Sequence, residues 1–306
     1  MLGRVTIVGC GLIGGSLVKR LRERKSATRI SAVDTEEVLA KARPYLDEVA
    51  TPGSPSKVAL VADSDLVVLA TPVGCIARDL GWALEAVGPD AVVTDTGSVK
   101  RAIVELAARH ERGARFVGGH PMAGREVGGF DAASADLFEG ARWLIVPPPA
   151  VIGASAEVGA TVRFTHSDAL ARVVELVGAV GAEPIFVEPD AHDRAMAYVS
   201  HAPQLIASAI YRAAARAGAI SDAGPGFRDV TRIAGGPRAM WNDIIASNRS
   251  KIAAALEEVL DPLIRVRDAL LQEGEGGLLA ALELLEQAQT ARNAMAALER
   301  PPRGSV

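Results

Sequence analysis

The sequence predicts an α/β protein in which a mostly parallel β-sheet is followed by an all-helical domain. Over residues 1–188, short runs rich in β-branched residues alternate with helix-length segments, a pattern typical of βαβ units. From about residue 190 onward, strand signals stop and alanine-rich segments with helical periodicity take over. We therefore expect one domain over residues 1–188, a helical domain over residues 189–300 and a disordered tail over residues 301–306.

Seven segments of the first domain are predicted to be strands, because each is a short apolar run that ends in turn-forming residues. They are residues 4–9, 29–34, 65–72, 91–97, 115–121, 143–149 and 183–189. Between the last two strands, five apolar residues recur at helical spacing and predict a helix packed on the sheet. These residues are Leu170, Val173, Val174, Val177 and Val180.

The C-terminal domain contains two long predicted helices with apolar surfaces. In the first, six apolar residues step by three or four positions and form one stripe: Ile252, Leu256, Val259, Leu263, Val266 and Leu270. The second covers residues 276–298. Helices with this much apolar surface predict the interface of a homodimer, and a self-contained helical bundle is the alternative.

The composition argues against several classes of function. The 306 residues carry a formal net charge of -4 with scattered Lys and Arg, which does not favour nucleic-acid binding. Cys10 and Cys75 are too few for a disulfide framework or a metal site, and they fit a reducing compartment. No apolar run reaches the roughly 18–20 residues that a membrane span requires. We therefore expect a cytoplasmic protein without a metal ion, a nucleic-acid partner or a membrane segment.

A glycine motif follows the first predicted strand. Gly9, Gly11 and Gly14 form the pattern G-x-G-x-x-G, and Asp34 lies at the end of the next strand, 20 residues after Gly14. The first glycine permits a tight turn, the second lets a pyrophosphate approach the backbone, and the third lets the helix pack closely on the strand. This arrangement predicts a Rossmann-type domain that binds a dinucleotide.

The residues around the motif favour NAD as the cofactor. Leu12 and Ile13 begin the helix that follows, whose unpaired N–H groups and positive dipole attract phosphate. Asp34 can accept hydrogen bonds from the ribose hydroxyls of adenosine. Residues 35–37, Thr-Glu-Glu, offer no cation for the 2′-phosphate of NADP. The alternative is a glycine turn in an α/β fold that binds no ligand.

Further candidates follow other predicted strands, whose carboxyl ends meet at one edge of a parallel sheet. Thr71 and Pro72 are candidate cofactor contacts there. His120, in GGHPMAG at residues 118–124, is the candidate base, because a neutral imidazole can take a hydroxyl proton while hydride leaves the same carbon. We expect the glycines around His120 to let a ligand approach closely. The alternative is a turn histidine that binds only backbone.

Ser98 has two compatible interpretations. It stands where a helix beginning at Val99 would take its N-cap, and its hydroxyl could equally face a substrate.

Two segments of the helical half carry polar candidates. Residues 191–218 predict one helix kinked at Pro203, with Ser200, Gln204 and His201 forming a pocket wall beside the kink. Alternatively, these side chains bind backbone groups that the proline leaves unpaired. In residues 226–241, arginines beside glycines suit a carboxylate substrate, although Arg228 and Asp229 could instead form a surface ion pair.

Five segments together resemble the prephenate/arogenate dehydrogenase family of tyrosine biosynthesis. They are VGCGLIGGSL, TDTGSVK, GGHPMAGRE, VSHAPQ and FRDVTRIAGGPRAMW, in this order and spacing. The resemblance implies a Rossmann-type domain, a helical dimerisation domain and NAD(P)-dependent oxidative decarboxylation of a small-molecule substrate. It further implies that His120 is the catalytic base, that Ser98 is linked to the substrate hydroxyl, and that Arg232 binds a substrate carboxylate.

One position departs from the family pattern. Where many relatives read S-H-x-P-H, this chain has Gln204 in the last position. Prephenate and arogenate differ in the side chain that this position would face, so the sequence favours prephenate only weakly over arogenate. A β-hydroxyacid-type dehydrogenase is a second alternative, and it would need a catalytic lysine, whereas Lys251 is the only lysine after residue 190. A non-catalytic NAD-sensing protein is the third.

Overall fold

The computed structural model describes residues 1–125, 127–147, 168–272 and 276–298. Within these residues, eight strands form one sheet in the order β3-β2-β1-β4-β5-β6-β7-β8. The strands are β1 Arg4–Val8, β2 Arg29–Val33, β3 Glu48–Ala50, β4 Leu66–Leu69, β5 Val92–Asp95, β6 Phe116–Pro121, β7 Arg142–Val146 and β8 Glu183–Phe186. The first six are parallel in the doubly wound order 3-2-1-4-5-6.

The last two strands run against the other six, since β7 pairs antiparallel with β6 and parallel with β8. The sheet is therefore mostly parallel, as the sequence predicts. Strand β3 was not predicted, because it has three residues of which only Ala50 is buried, too few to give an apolar run.

Helices cover both faces of the sheet, so all the central strands are buried. On one face lie α1 (Leu12–Glu23), α2 (Glu36–Ala42) and α6 (Asp168–Ala179). On the other lie α3 (Ser56–Ala62), α4 (Val73–Ala86) and α5 (Arg101–Ala108). The predicted helix after β7 is confirmed as α6, whose Leu170, Val173 and Val177 are buried against the sheet.

The segment predicted as one kinked helix is divided by a π-helical turn. Helix α7 (Pro189–Met196) is followed by a π turn over Ala197–His201 and then by α8 (Ala202–Arg216). Pro203 lies in the first turn of α8. It has no N–H to donate, and in a continuous α-helix its ring would clash with the carbonyl group four residues earlier. The wider π turn before it makes room for the ring. The break therefore lies just before the proline.

The remaining helices of this region are α9 (Pro225–Thr231) and α10 (Arg238–Ser247). The chain divides into two compact units, Met1–Arg249 and Ser250–Val306. The first unit contains the sheet and α1 to α10, and every candidate site residue belongs to it. The predicted boundary at 188/189 remains a prediction, and the predicted tail lies outside the described residues.

The second unit contains most of α11 (Arg249–Leu270) and all of α12 (Gly276–Leu298), the two long helices that the sequence predicts. Many of their leucines are at least half exposed in the single chain, including Leu270 (61%), Leu279 (61%) and Leu285 (66%). No helix among the described residues is long and apolar enough to cross a membrane.

Candidate active site

The predicted site residues of the first domain gather at one edge of the sheet. Strands β1, β4, β5 and β6 are parallel neighbours, so the residues that follow or end them lie side by side. Gly9 follows β1, Thr71 follows β4, Ser98 follows β5, and His120 lies near the end of β6. This is the edge at which doubly wound sheets bind ligands.

The three motif glycines have distinct backbone requirements. Gly9 has φ of +95°, and a Cβ there would lie 2.8 Å from the backbone of Ala70. A Cβ on Gly14 would lie 1.8 Å from the carbonyl oxygen of Gly9, so the helix packs directly on the turn. A Cβ on Gly11 would meet no atom within 4 Å. Open space therefore lies beside Gly11, where a ligand must approach.

The amino end of α1 is suited to an anion. No side chain of the described residues caps this helix, and no acidic residue occupies its first turn. Asp34 accepts the N–H of Cys10 at 2.5 Å and the N–H of Thr35 at 2.6 Å, which fixes its carboxylate beside the glycine turn. Asp34 remains partly exposed, and its neighbours Glu36 and Glu37 are exposed.

Alanine substitutions in the motif separate folding from binding. We expect Gly14→Ala to lower the free energy of unfolding by about 3 kcal/mol or more, because the added methyl group overlaps backbone that cannot move alone. Gly11→Ala is the matched control: it should unfold like the wild-type protein but bind NAD at least about tenfold more weakly. Thermal unfolding and isothermal calorimetry measure the two effects. If both variants were equally stable, Gly14 would not be required for the packing of α1 on the glycine turn.

Thr71 and Pro72 follow β4 at the same edge. The Thr71 hydroxyl donates to buried Asp79 at 3.0 Å, so it already has a protein partner. Its methyl group lies against Gly9, where a Cβ would be only 2.9 Å away. Pro72 is exposed at the start of α4. Cofactor contacts at these two residues would therefore involve apolar surface or backbone.

His120 has a histidine partner that the sequence did not indicate. Its Nδ1 lies 2.9 Å from Nε2 of His192, and the two rings meet edge to face with centroids 5.1 Å apart. His192 Nδ1 in turn lies 2.8 Å from Oδ1 of Asp193. His192 and Asp193 are each 1% exposed, on helix α7, whereas His120 is partly exposed. The candidate base is thus the outer member of a row of three residues.

Asp193 also caps helix α5. Its Oδ1 accepts the N–H of Lys100 at 2.7 Å, and its Oδ2 accepts the N–H of Arg101 at 3.0 Å. Helix α5 begins at Arg101 rather than at Val99, and Ser98 does not cap it. The N-cap interpretation of Ser98 was therefore wrong, because a carboxylate 93 residues away supplies the cap. Ser98 is partly exposed, and its hydroxyl makes no hydrogen bond within the described residues.

A buried ion pair lies behind His120. The ammonium group of Lys100 binds Oδ2 of Asp95, and both side chains are 0% exposed. Asp95 also accepts the N–H groups of Gly97 and Gly119, each at 3.0 Å. Burial lowers the pKa of Lys100, and the Asp95 carboxylate opposes this shift. The pair ties the end of β5 to the strand that carries His120.

The glycines before His120 are required by protein packing. A Cβ on Gly119 would lie 2.5 Å from the carbonyl oxygen of Asp95, and one on Gly118 would lie 3.2 Å from Val146 and 3.4 Å from the Lys100 side chain. The expectation that they make room for a ligand was therefore wrong. Gly124, beyond the histidine, does border open space.

The surroundings of His120 keep its imidazole neutral. Burial of much of the ring lowers its pKa well below 6.5, and the nearby His192, Lys100 and His201 lower it further. Burial also lowers the pKa of His192, although Asp193 opposes this shift. The site therefore holds two neutral imidazoles in contact, as a proton acceptor requires.

The helical part of the unit contributes a second group of polar residues. His201 is 1% exposed, and its Nδ1 accepts from the side-chain amide of Asn248 at 3.1 Å, which also donates to the carbonyl oxygen of Asp193 at 2.7 Å. Burial lowers the pKa of His201 to about 4, so it is neutral with its proton on Nε2. Among the described residues, that Nε2–H and the indole N–H of Trp241 have no partner.

The other predicted substrate residues have different environments. Gln204 is buried, and a Cβ on Gly236 would lie 3.2 Å from its Nε2 and 2.4 Å from the Trp241 indole nitrogen. Ser200 is partly exposed in the π turn. Arg232 is exposed at the start of a 3₁₀ turn after α9. Arg228 and Asp229 make no ion pair in the described part of the chain, so the surface-pair alternative for them was wrong.

The fold and the site define a class of protein, a Rossmann-type dinucleotide-dependent dehydrogenase with a helical second part. Family models assign the chain within it: the prephenate dehydrogenase nucleotide-binding domain matches residues 17–152, and the prephenate dehydrogenase dimerization domain matches residues 188–284. The chain belongs to the prephenate dehydrogenase family, as the resemblance predicted.

Relatives in this family align over most of the chain. A prephenate dehydrogenase of Bacillus subtilis is 28% identical, over 89% of this chain and 71% of its own length. The crystal structure of prephenate dehydrogenase from Aquifex aeolicus, in complex with hydroxyphenyl propionate and NAD+, is 30% identical with a TM-score of 0.80, covering 96% of this chain and 98% of that one. The crystal structure of arogenate dehydrogenase from Synechocystis is 25% identical with a TM-score of 0.72, covering 95% of this chain and 99% of that one.

Proposed function

We propose that this protein is an NAD-dependent prephenate dehydrogenase of tyrosine biosynthesis, which converts prephenate to 4-hydroxyphenylpyruvate. The observation that carries the proposal is the position of His120. It lies near the end of β6, three places from β1 and its glycine turn in the sheet, and its Nδ1 is held by His192. Its other ring nitrogen is therefore available to a substrate at the edge where the dinucleotide would bind. The names of the related enzymes support the choice of substrate.

The residues of the glycine turn fit NAD. The open space at Gly11, the uncapped helix α1 and the fixed Asp34 carboxylate match a pyrophosphate and a ribose. When bound, NAD supplies a hydride acceptor. The acidic residues after Asp34 disfavour the 2′-phosphate of NADP.

His120 takes the proton of the reaction. As the hydride leaves ring carbon C4, the hydroxyl on that carbon loses its proton to Nε2 of His120 and becomes a carbonyl. The electrons of the bond to the ring carboxylate then move into the ring as CO2 departs, and the carbonyl becomes a phenolate oxygen. This oxygen takes a proton back to give the phenol of the product, which leaves His120 neutral again. Aromatisation drives the reaction forward, so the carboxylate needs little acid catalysis.

The remaining predicted residues are proposed to hold the substrate. The Ser98 hydroxyl has no hydrogen-bond partner among the described residues and would bind the C4 hydroxyl beside His120. Arg232 would bind a substrate carboxylate, since an arginine fork pairs with carboxylates through charge-assisted hydrogen bonds. The unpartnered N–H groups of His201 and Trp241 offer two further donors, beside Gln204. Ser200 would complete this wall.

Arogenate is the second candidate substrate, favoured by the uncharged Gln204 and by the Synechocystis relative. Initial rates of NADH or NADPH formation should be measured with prephenate and arogenate, each offered with NAD and with NADP. Turnover of prephenate with NAD supports the proposal, and turnover of arogenate alone keeps the mechanism but changes the substrate. If neither reacts while NAD binds, the proposal is wrong, and a β-hydroxyacid substrate or an NAD sensor takes its place.

We further propose a homodimer that works in the cytoplasm. The exposed leucines of α12 and the match to a dimerization domain support the dimer. Sedimentation equilibrium tests it. The two cysteines make no disulfide, which fits a reducing compartment.

The pH profile should reflect the low pKa of His120. The base must be neutral to accept a proton, so activity is lost only as the pH falls through its pKa, which lies well below 6.5. We expect kcat/KM for prephenate to stay level from neutral pH down to 6.5 and to fall at lower pH. Rates corrected for the non-enzymatic reaction measure this profile. A midpoint above 6.5 would show that the His120 environment is assigned incorrectly.

A further inference from the structure

We infer that His192 and Asp193 fix the tautomer of His120 and thereby select Nε2 as the atom that receives the substrate proton. His192 is thus a positioning residue, which acts through His120 without contacting the substrate. The inference deepens the proposed function and rests on it for its catalytic meaning, whereas the tautomer itself can be measured without substrate.

The carboxylate of Asp193 can only accept hydrogen bonds. It accepts hydrogen bonds from the backbone N–H groups of Lys100 and Arg101, which can only donate. An ionised carboxylate has no proton to give, so the contact of 2.8 Å between its Oδ1 and Nδ1 of His192 requires the proton to be on Nδ1. The two backbone donors hold the carboxylate in place, because they belong to the start of helix α5.

The tautomer of His192 then determines that of His120. A neutral His192 with its proton on Nδ1 has a lone pair on Nε2. His120 Nδ1 lies 2.9 Å from that nitrogen, so it must be the donor of this contact. The remaining lone pair of His120 is therefore on Nε2, the ring atom directed away from helix α7. A free neutral imidazole side chain favours the opposite tautomer, with its proton on Nε2, which would present a donor to the substrate.

The same row of residues stabilises the product of proton transfer. Once His120 carries protons on both nitrogens, its Nδ1–H still donates to His192, and the Asp193 carboxylate lies one ring further along. No second transfer is needed. Because His192 and Asp193 are each 1% exposed, water cannot replace them as the partner of Nδ1.

Three variants test the role in catalysis. We expect His192→Leu, which removes the acceptor, to lower kcat by about 100-fold while KM for prephenate and NAD changes by less than about threefold. His192→Gln offers a side-chain oxygen as acceptor and should retain kcat within about tenfold of the wild-type value. His110→Leu is the matched control, since His110 lies after α5, outside the site, and its Nδ1 accepts the backbone N–H of Arg112; the variant should leave kcat unchanged. Equal losses of kcat in the Leu and Gln variants of His192 would overturn the inference.

The decisive readout is the tautomer in the free protein. The chain has five histidines, so ¹⁵N-histidine labelling gives few imidazole signals, and those of His120 are identified by their loss in His120→Gln. We expect the wild-type protein to show His120 protonated on Nδ1 at neutral pH, and His192→Leu to shift it toward protonation on Nε2. A wild-type His120 protonated on Nε2 would overturn the inference even if all variants were inactive. A correct tautomer without prephenate turnover would instead show that only the proposed substrate is wrong.

Discussion

His120→Asn is expected to lower kcat for prephenate oxidation by about 10²–10⁴-fold, or about 2.7–5.5 kcal/mol of barrier. Asparagine keeps a polar side chain near the same position but has no group that can take the hydroxyl proton at neutral pH. The loss should appear in kcat rather than in the dissociation constant of NAD, because His120 lies on β6 while the dinucleotide turn follows β1. Steady-state kinetics and calorimetric titration with NAD measure the two quantities.

The control for this variant is His110→Asn, which changes a histidine outside the site and should leave kcat unaltered. Circular dichroism and thermal unfolding should show that both variants fold, since His120 is partly exposed and its replacement leaves no large cavity. Turnover of His120→Asn within about threefold of the wild-type rate would remove His120 from the mechanism.

Lys100→Met is expected to lower the free energy of unfolding by about 3–5 kcal/mol, the largest effect on stability that we foresee. Methionine fills a similar volume, so packing is largely preserved. The loss arises because the Asp95 carboxylate, which is 0% exposed, would lose its ammonium partner and keep, within the described part of the chain, only the N–H groups of Gly97 and Gly119. Urea denaturation followed by fluorescence measures the change.

The double variant Lys100→Met with Asp95→Asn separates charge from packing. An amide at residue 95 carries no charge to bury and can still accept one of the two N–H groups, so the double variant should recover part of the lost stability. If the double variant is as unstable as the sum of both single variants, the two side chains act independently and the ion pair is not the cause.

The parts of the fold that could be predicted have local signals. The strands β1, β4 and β5 are short buried runs rich in Val, Ile and Leu, and the motif glycines specify a turn through their own backbone requirements. The helices α6 and α11 follow from the spacing of their apolar residues. The edge strand β3 could not be predicted, because three residues cannot form a pattern and its pairing with β2 decides its conformation.

The candidate site was predicted only where a residue type is itself informative. His120 stands out as an imidazole at the end of a strand. His192 and Asp193 do not, because their sequence neighbourhood is an ordinary polar helix start, and the contact that gives His192 its role spans 72 residues. The one local clue is the adjacent pair of a histidine and an aspartate.

Long-range contacts also explain two of the wrong interpretations. Ser98 resembles an N-cap in sequence, but the start of α5 is capped by Asp193 from another helix. The glycines before His120 resemble a ligand-binding turn, yet the carbonyl of Asp95 and the side chain of Lys100 occupy the space beside them. In both cases residues distant in sequence determine the local structure.

The proposed proton and hydride transfer can be followed in a single turnover of prephenate deuterated at ring carbon C4, in the presence of NAD. We expect the deuterium to appear in the reduced cofactor, with one CO2 and one 4-hydroxyphenylpyruvate released for each NAD reduced. The same substrate could instead aromatise by losing its C4 hydroxyl with the carboxylate, which consumes no NAD and leaves the deuterium on the ring. Release of CO2 without label in the cofactor would contradict the role of His120 as the acceptor of the hydroxyl proton.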